Sequence, residues 1–159
     1  LHWVRYADHI DEEMLGLRAL SVGATVAVTL GMIGLWQQHA LLARGWPALT
    51  IQAAAILLML WARWTFGRRS FHAAANPTAG GLVTSGPYHY LRHPIYAALL
   101  YFAWAAALTH RAALPLAAAL VVTVGLAVRM RAEECLVELR YPEYRAYAAR
   151  TRRVLPGVI

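Results

Sequence analysis

Two clusters of side chains in this chain could do chemistry, and they lie about 40 residues apart. The first runs Gly80-Gly81-Leu82-Val83-Thr84-Ser85-Gly86-Pro87-Tyr88-His89-Tyr90-Leu91-Arg92-His93-Pro94-Ile95-Tyr96. Its glycines allow a ligand close to the backbone, its tyrosines offer stacking surfaces, and Arg92 and His93 add cationic or hydrogen-bonding groups. These are ingredients of a nucleotide pocket. They also suit a plain turn into a membrane, with Pro94 opening a helix and Arg92 anchoring it at the interface. The second cluster is Arg129-Met130-Arg131-Ala132-Glu133-Glu134-Cys135. On a helix Arg129 and Glu133 share a face, and left exposed such a pair contributes little. The same pair could hold a zwitterion, Glu133 accepting from an amino group and Arg129 donating to a carboxylate. Cys135 follows two glutamates and reads as a helix-face residue, not a nucleophile.

Several chemistries are excluded by what is missing. His89 and His93 are four apart with His72 nearby, yet His93 precedes a proline, which biases it away from helical geometry. No carboxylate occurs from Met14 to Ala132 to complete a ligand set, so no metal is expected. With Cys135 the single cysteine, an intramolecular disulfide and Cys-based zinc sites are ruled out. All 15 basic residues are arginine, so titrating lysines take no part.

The elements that position these clusters belong in a bilayer. Of 159 residues 60% are hydrophobic and 14% charged, too apolar for an ordinary soluble domain. Gaps between charges leave room for about four transmembrane helices, at about 17–36, 47–64, 94–110 and 112–130. The last two form a tight hairpin with Arg111 at its tip and Pro115 in the first turn of the returning helix. Trp36 and Trp46 bracket one loop, and Trp61 and Trp64 close the second helix at its other end, as interfacial aromatics do. The expected fold is all-α and integral to the membrane, a single domain over 1–159.

Only Arg44 and Arg111 fall on one side of these spans. The positive-inside rule therefore puts both termini, the loop Arg63–His93 and the tail Arg129–Ile159 in the cytoplasm. The net charge of +7 is thus topological, and no nucleic-acid partner is expected. A composition rich in Ala and Arg and free of Lys points to a high-GC bacterial genome, hence to a bacterial inner membrane. The leading Leu suggests a missing start. The tail should stay helical to about Tyr141, where Pro142 interrupts it. Tyr141, Tyr144 and Tyr147, with Arg145, Arg150, Arg152 and Arg153 interspersed, read as an interfacial helix gripping anionic headgroups.

Taken together, Leu82-Val83-Thr84-x-Gly86-Pro87-Tyr88-x-Tyr90-x-Arg92-His93-Pro94-x-Tyr96, then Arg129-x-x-x-Glu133-Glu134, then Tyr141-Pro142-Glu143-Tyr144-x-x-Tyr147 and Leu155-Pro156, resemble the isoprenylcysteine carboxyl methyltransferase family, to which phospholipid N-methyltransferases are related. The resemblance covers roughly 65–157, the catalytic region it implies. It implies S-adenosylmethionine in a pocket formed by the cytoplasmic loop and the helical tail. Gly81, Leu82 and Val83 match a backbone segment beside the cofactor, Tyr88 a ring contact, and His93, Pro94, Ile95 and Tyr96 the contacts where the chain turns into the membrane. Glu133 matches the acidic cofactor ligand, Glu134 its companion, and Arg129 a basic residue facing the methyl acceptor. Ala98 stands where many members have Gly, the tail is one residue shorter than usual, and the first two helices carry no matching motif.

Methyl transfer from a sulfonium is an in-line displacement that needs alignment and exclusion of water, and proximity can supply several of the roughly 7–11 kcal/mol available in favourable cases. A carboxylate or thiolate acceptor needs no base. A phenol or amine must lose a proton, for which His93 or a glutamate is the candidate. The implied activity is methylation of a lipidic or prenylated acceptor, isoprenylcysteine carboxylate-like, at the cytoplasmic membrane face. Alternatives are phospholipid N-, phenolic-lipid O- or small-thiol S-methylation, and, in other classes, a noncatalytic membrane protein or a relative of nicotinamide-dependent reductases.

Overall fold

The computed structural model describes residues 2–67 and 82–155, with side chains from residue 12 onward. Five helices follow one another: α1 (His2–Gln37), α2 (Trp46–Phe66), α3 (Pro94–His110), α4 (Ala113–Arg140) and α5 (Tyr144–Arg150). A short 3-10 turn at Gly86–His89 precedes α3. Among the described residues the one strand-like feature is a bridge between Leu91 and Arg152. Local chemistry sets the boundaries. Proline stands in the first turn of α2 and of α3, where its missing N–H costs nothing. Tyr141 ends α4 in an extended conformation, as the residue before a proline prefers.

The fold is all-helical and built for a membrane. Helices α2 and α4 and the Glu12–Gln37 part of α1 are long and apolar enough to cross one, and α3 is a shorter apolar helix. Leu20, Val26, Leu30 and Ile33 on α1, Ile51, Leu57 and Leu60 on α2, and Leu120 and Val124 on α4 all point outward. So broad an apolar exterior is a liability in water and is what lipid requires. Trp36 and Trp46 are exposed at one end, Trp61 and Trp64 at the other, matching two interfacial belts.

The helices do not pack in chain order. Helix α1 lies against α4, α4 against α3, and α3 against α2, whereas α1 and α2 form no packed pair. The seam on α1 is Ser21, Ala24, Val28, Gly31 and Leu35, all buried and spaced alternately by three and four, the register of helices crossing at a shallow angle. Gly31 faces Val122 and Ala118, and Gly125 faces Val28 and Ala24. Small residues at both places let the backbones close up, which is how membrane helices gain packing when lipid is as apolar as their side chains.

The connection between α1 and α2 is laid over the far end of α3. Arg44 donates its backbone N–H to Thr109 Oγ1 at 2.9 Å, and His110 Nε2 donates to the Leu42 carbonyl at 2.9 Å. Gln52, buried in α2, donates to the Leu41 and Phe102 carbonyls at 2.9 and 3.1 Å and accepts from the Ala43 N–H at 2.9 Å. Gln52→Leu keeps the volume and strands these groups. We expect a loss of about 2–3 kcal/mol, read as a fall of roughly 5–10 °C in the melting temperature of the detergent-purified protein.

Candidate active site

With Pro94 opening α3, Tyr96 sits in its first turn, alongside the C-terminal half of α4. Arg129 and Glu133, one turn apart on α4, meet it there. The Tyr96 hydroxyl donates to Glu133 Oε1 at 2.6 Å and accepts from Arg129 Nε at 2.6 Å. Arg129 Nε also lies 3.0 Å from Glu133 Oε1, and its guanidinium carbon is 5.7 Å from the Tyr96 ring centroid. A further donor, Arg129 Nη1, reaches Thr25 Oγ1 on α1. Arg129 is only 8% exposed. Of the two sequence readings of Arg129 and Glu133, an exposed ion pair or a pair built to hold a ligand, the exposed one does not describe them. With Tyr96 they form a largely buried polar cluster, the regime in which losing one partner is costly.

His93 lies flat against Tyr96, with ring centroids 5.5 Å apart and planes 13° from parallel. Its Nε2 donates to Glu134 Oε1 at 3.2 Å. A carboxylate at that nitrogen selects the Nε2–H tautomer, which leaves Nδ1 facing Glu133 Oε2 across 3.9 Å. Adjacent carboxylates on α4 are therefore read by the two nitrogens of one imidazole.

Glu134 is the centre of a second set. Arg153 donates to it from Nη2 at 2.8 Å and from Nε at 3.1 Å. Arg92 Nε stands 3.4 Å from Oε1; buried, it makes no hydrogen bond among the described residues. Backbone pairing supports the convergence: Arg92 N–H donates to Arg152 O at 2.6 Å, Arg152 N–H to Tyr90 O at 3.0 Å, and His93 N–H to Arg153 O at 3.1 Å. Tyr101 on α3 donates its hydroxyl to the Val154 carbonyl.

The tail tyrosines depart from the sequence-based expectation of a headgroup-gripping face. Tyr144 and Tyr147 are buried, and Tyr147 donates its hydroxyl to the Tyr88 carbonyl at 2.7 Å. Burial pushes the Tyr147 hydroxyl up to about 12, so it remains a neutral donor at physiological pH. Tyrosines with a three-residue repeat look alike whether they face headgroups or the protein's own loop; the partner decides.

Leu82 and Val83 line an open depression with Thr65, Phe66, Gly67, Thr84 and Ser85. Tyr88 packs its ring 5.3 Å from that of Phe66, one of the residues lining this depression. Burial, and then the neighbouring Tyr147 and Glu133, push its hydroxyl above the ordinary phenol range. The turn requires Gly86: its φ is +57°, and an added Cβ would stand 2.6 Å from Thr65 Oγ1. Gly81 lies outside the described residues. His93, Tyr96, Arg129, Glu133 and Glu134 thus come together, Pro94 and Ile95 begin the helix beneath them, and Tyr88, Leu82 and Val83 lead outward to the depression.

Thr25 and Arg153 also enter the cluster and were not singled out for it from the sequence; Arg92, read there as a cationic group beside His93, joins them at Glu134. Arg92 and Arg153 reach one carboxylate only because distant segments pair, and Thr25 only because α1 packs on α4. Chemically, the cluster presents Glu133 Oε2 and His93 Nδ1 as neighbouring acceptors. That suits a small molecule with a cationic N–H group.

Compared with known protein families, residues 43–144 match the model of one described as phospholipid methyltransferase. The match takes in α2, α3 and α4, well over half of the chain. No curated protein and no solved structure matches the chain significantly.

Proposed function

The chain belongs to the phospholipid methyltransferase family, and on that premise we propose that it transfers a methyl group from S-adenosylmethionine to a hydrophobic acceptor drawn from the bilayer, at the cytoplasmic face of a bacterial inner membrane. The observation that carries the cofactor reading is the pair of acceptors, Glu133 Oε2 and His93 Nδ1, 3.9 Å apart. These fit the cofactor's ammonium group, and the depression lined by Phe66, Leu82 and Val83, with Tyr88 against Phe66, would receive its adenosine. Pro94, Ile95 and Tyr96 would add contacts where α3 begins.

When bound, S-adenosylmethionine supplies the methyl group, activated on a sulfonium. Glu133 accepts from the ammonium end, oriented by the Tyr96 hydroxyl and Arg129. Glu134, already shared by His93, Arg92 and Arg153, orients His93 and secures the tail over the site. Arg129 brings a fixed positive charge to the acceptor side of the cluster. A carboxylate acceptor such as isoprenylcysteine needs no base, whereas a phospholipid amine must lose its proton to one.

Calorimetric titration of the detergent-purified chain with S-adenosylhomocysteine tests this first. Saturable binding at micromolar ligand is expected, followed by transfer of labelled methyl to N-acetyl-S-farnesylcysteine or to phosphatidylethanolamine in mixed micelles. Folded protein that binds NADPH and not S-adenosylhomocysteine would overturn the reading in favour of a reductase.

A further inference from the structure

Helix α1 lies outside the residues that match the family, yet it reaches into the polar cluster. The seam described above makes this possible. Gly125 is one turn before Arg129 on α4, and a Cβ there would stand 2.8 Å from Val28 Cγ2 and 3.0 Å from the Ala24 carbonyl oxygen. The α1 backbone beside Thr25 is therefore drawn against α4 where Arg129 begins its approach to Tyr96.

The Thr25 hydroxyl is oriented toward Arg129. It donates to the Ser21 carbonyl at 2.9 Å, which turns its oxygen lone pairs to the other side, where Arg129 Nη1 donates to them. Ser21 is fully buried and Thr25 partly so. Arg129 is thus gripped from two directions: Nε by Tyr96 and Glu133 on the α3–α4 side, Nη1 by α1. A long arginine side chain loses much rotamer freedom when held, and a planar fork bound at two edges has its orientation set.

We propose that Thr25 is a positioning residue for Arg129, so that the first helix sets the attitude of the guanidinium on the acceptor side of the site. The consequence for turnover rests on the methyltransferase reading; the coupling between Thr25 and Arg129 does not. A threonine hydroxyl acts here only through the arginine, so cofactor affinity should be nearly unaffected while turnover falls.

Thr25→Val keeps the shape and removes the acceptor; Thr25→Ser keeps the acceptor and trims the shape. Methyl transfer to N-acetyl-S-farnesylcysteine or phosphatidylethanolamine, whichever the wild type uses, should fall about 10-fold in kcat for Thr25→Val, with S-adenosylhomocysteine affinity changed less than about 3-fold. Thr25→Ser should restore most of the rate. Unchanged kcat in Thr25→Val, or equal loss in Thr25→Ser, would overturn the assignment. Independently of any activity, phenylglyoxal labelling of Arg129, followed by peptide mass spectrometry, should be several-fold faster in Thr25→Val than in wild type or Thr25→Ser. Equal labelling in all three would overturn the coupling, whereas a wild type that binds no S-adenosylhomocysteine would overturn the methyltransferase reading alone.

Discussion

Glu133→Gln is expected to weaken S-adenosylhomocysteine binding at least about 100-fold, the equivalent of about 3 kcal/mol, while the protein remains folded. The amide is nearly isosteric, and its oxygen can still accept from the Tyr96 hydroxyl and from Arg129 Nε, which approach Glu133 Oε1 at 2.6 and 3.0 Å. What changes is the other end. An NH2 group takes the place of Oε2, turns its donors toward His93 Nδ1, and meets the ligand's ammonium donor to donor. Glu133→Ala would also lose binding, but it leaves Arg129 largely buried without its carboxylate, at a cost of about 3–5 kcal/mol. Loss of function there would be confounded with loss of fold.

Arg129→Ala separates binding from turnover. Glu133 keeps the Tyr96 hydroxyl and, with a side chain 20% exposed against 9% for Arg129, can be met by water. S-adenosylhomocysteine should therefore still bind within about 10-fold of wild type, whereas kcat should fall about 100-fold or more. Calorimetry and labelled-methyl transfer on the same preparations read both quantities. Wild-type affinity in Glu133→Gln would remove Glu133 from the cofactor site, and equal losses of binding and turnover in both variants would contradict the division of roles.

What could be read from the sequence follows from where it carries contrast. Long uncharged stretches between arginines reveal an all-helical membrane protein because charge is expensive in lipid. The Arg-His-Pro-x-Tyr and Arg-x-x-x-Glu-Glu patterns identify residues that the fold gathers around Tyr96. The partner of each helix is a different matter. In lipid the packed face of α1 and its outward face are both apolar, so hydropathy does not separate Val28 from Leu30. The usable signal was size: Ser21, Ala24, Val28, Gly31 and Leu35, small or buried at alternating spacings of three and four. Without that, α1 is naturally paired with its neighbour α2, and Thr25 has no reason to be noticed. The pairing of Arg153 with Glu134 was hidden for another reason. Their meeting depends on the backbone pairing of 90–93 with 152–153, a contact between segments with no local pattern of their own. Tyr144 and Tyr147 illustrate the limit of spacing: the repeat shows that a face exists, not what it faces.

A large structural effect should come from Gly125, as from Gly31, where an added Cβ would stand 2.7 Å from Val122 Cγ2. A side chain at Gly125 meets the α1 backbone itself, at the Ala24 carbonyl (3.0 Å) and the Val28 amide (3.3 Å), besides Val28 Cγ2 at 2.8 Å. Backbone inside a helix cannot swing aside as the tip of a side chain can, so α1 must move away from α4. Gly125→Ala should already cost about 1–3 kcal/mol by overpacking, against a gain of about 1 kcal/mol in helix propensity. Gly125→Leu should separate the helices, withdraw Thr25 from Arg129, and abolish both monodisperse protein and S-adenosylhomocysteine binding. Glycines elsewhere on α1 provide the control. A Cβ at Gly23 meets nothing within 4 Å, and one at Gly34 makes ordinary contacts at 3.6 and 3.9 Å. Gly23→Ala and Gly34→Ala should therefore match or slightly exceed the wild-type melting temperature. Size-exclusion profiles and thermal melts of the four variants decide the matter: if Gly125→Leu behaves like Gly23→Ala, the α1–α4 seam is not the contact that brings the first helix to the site.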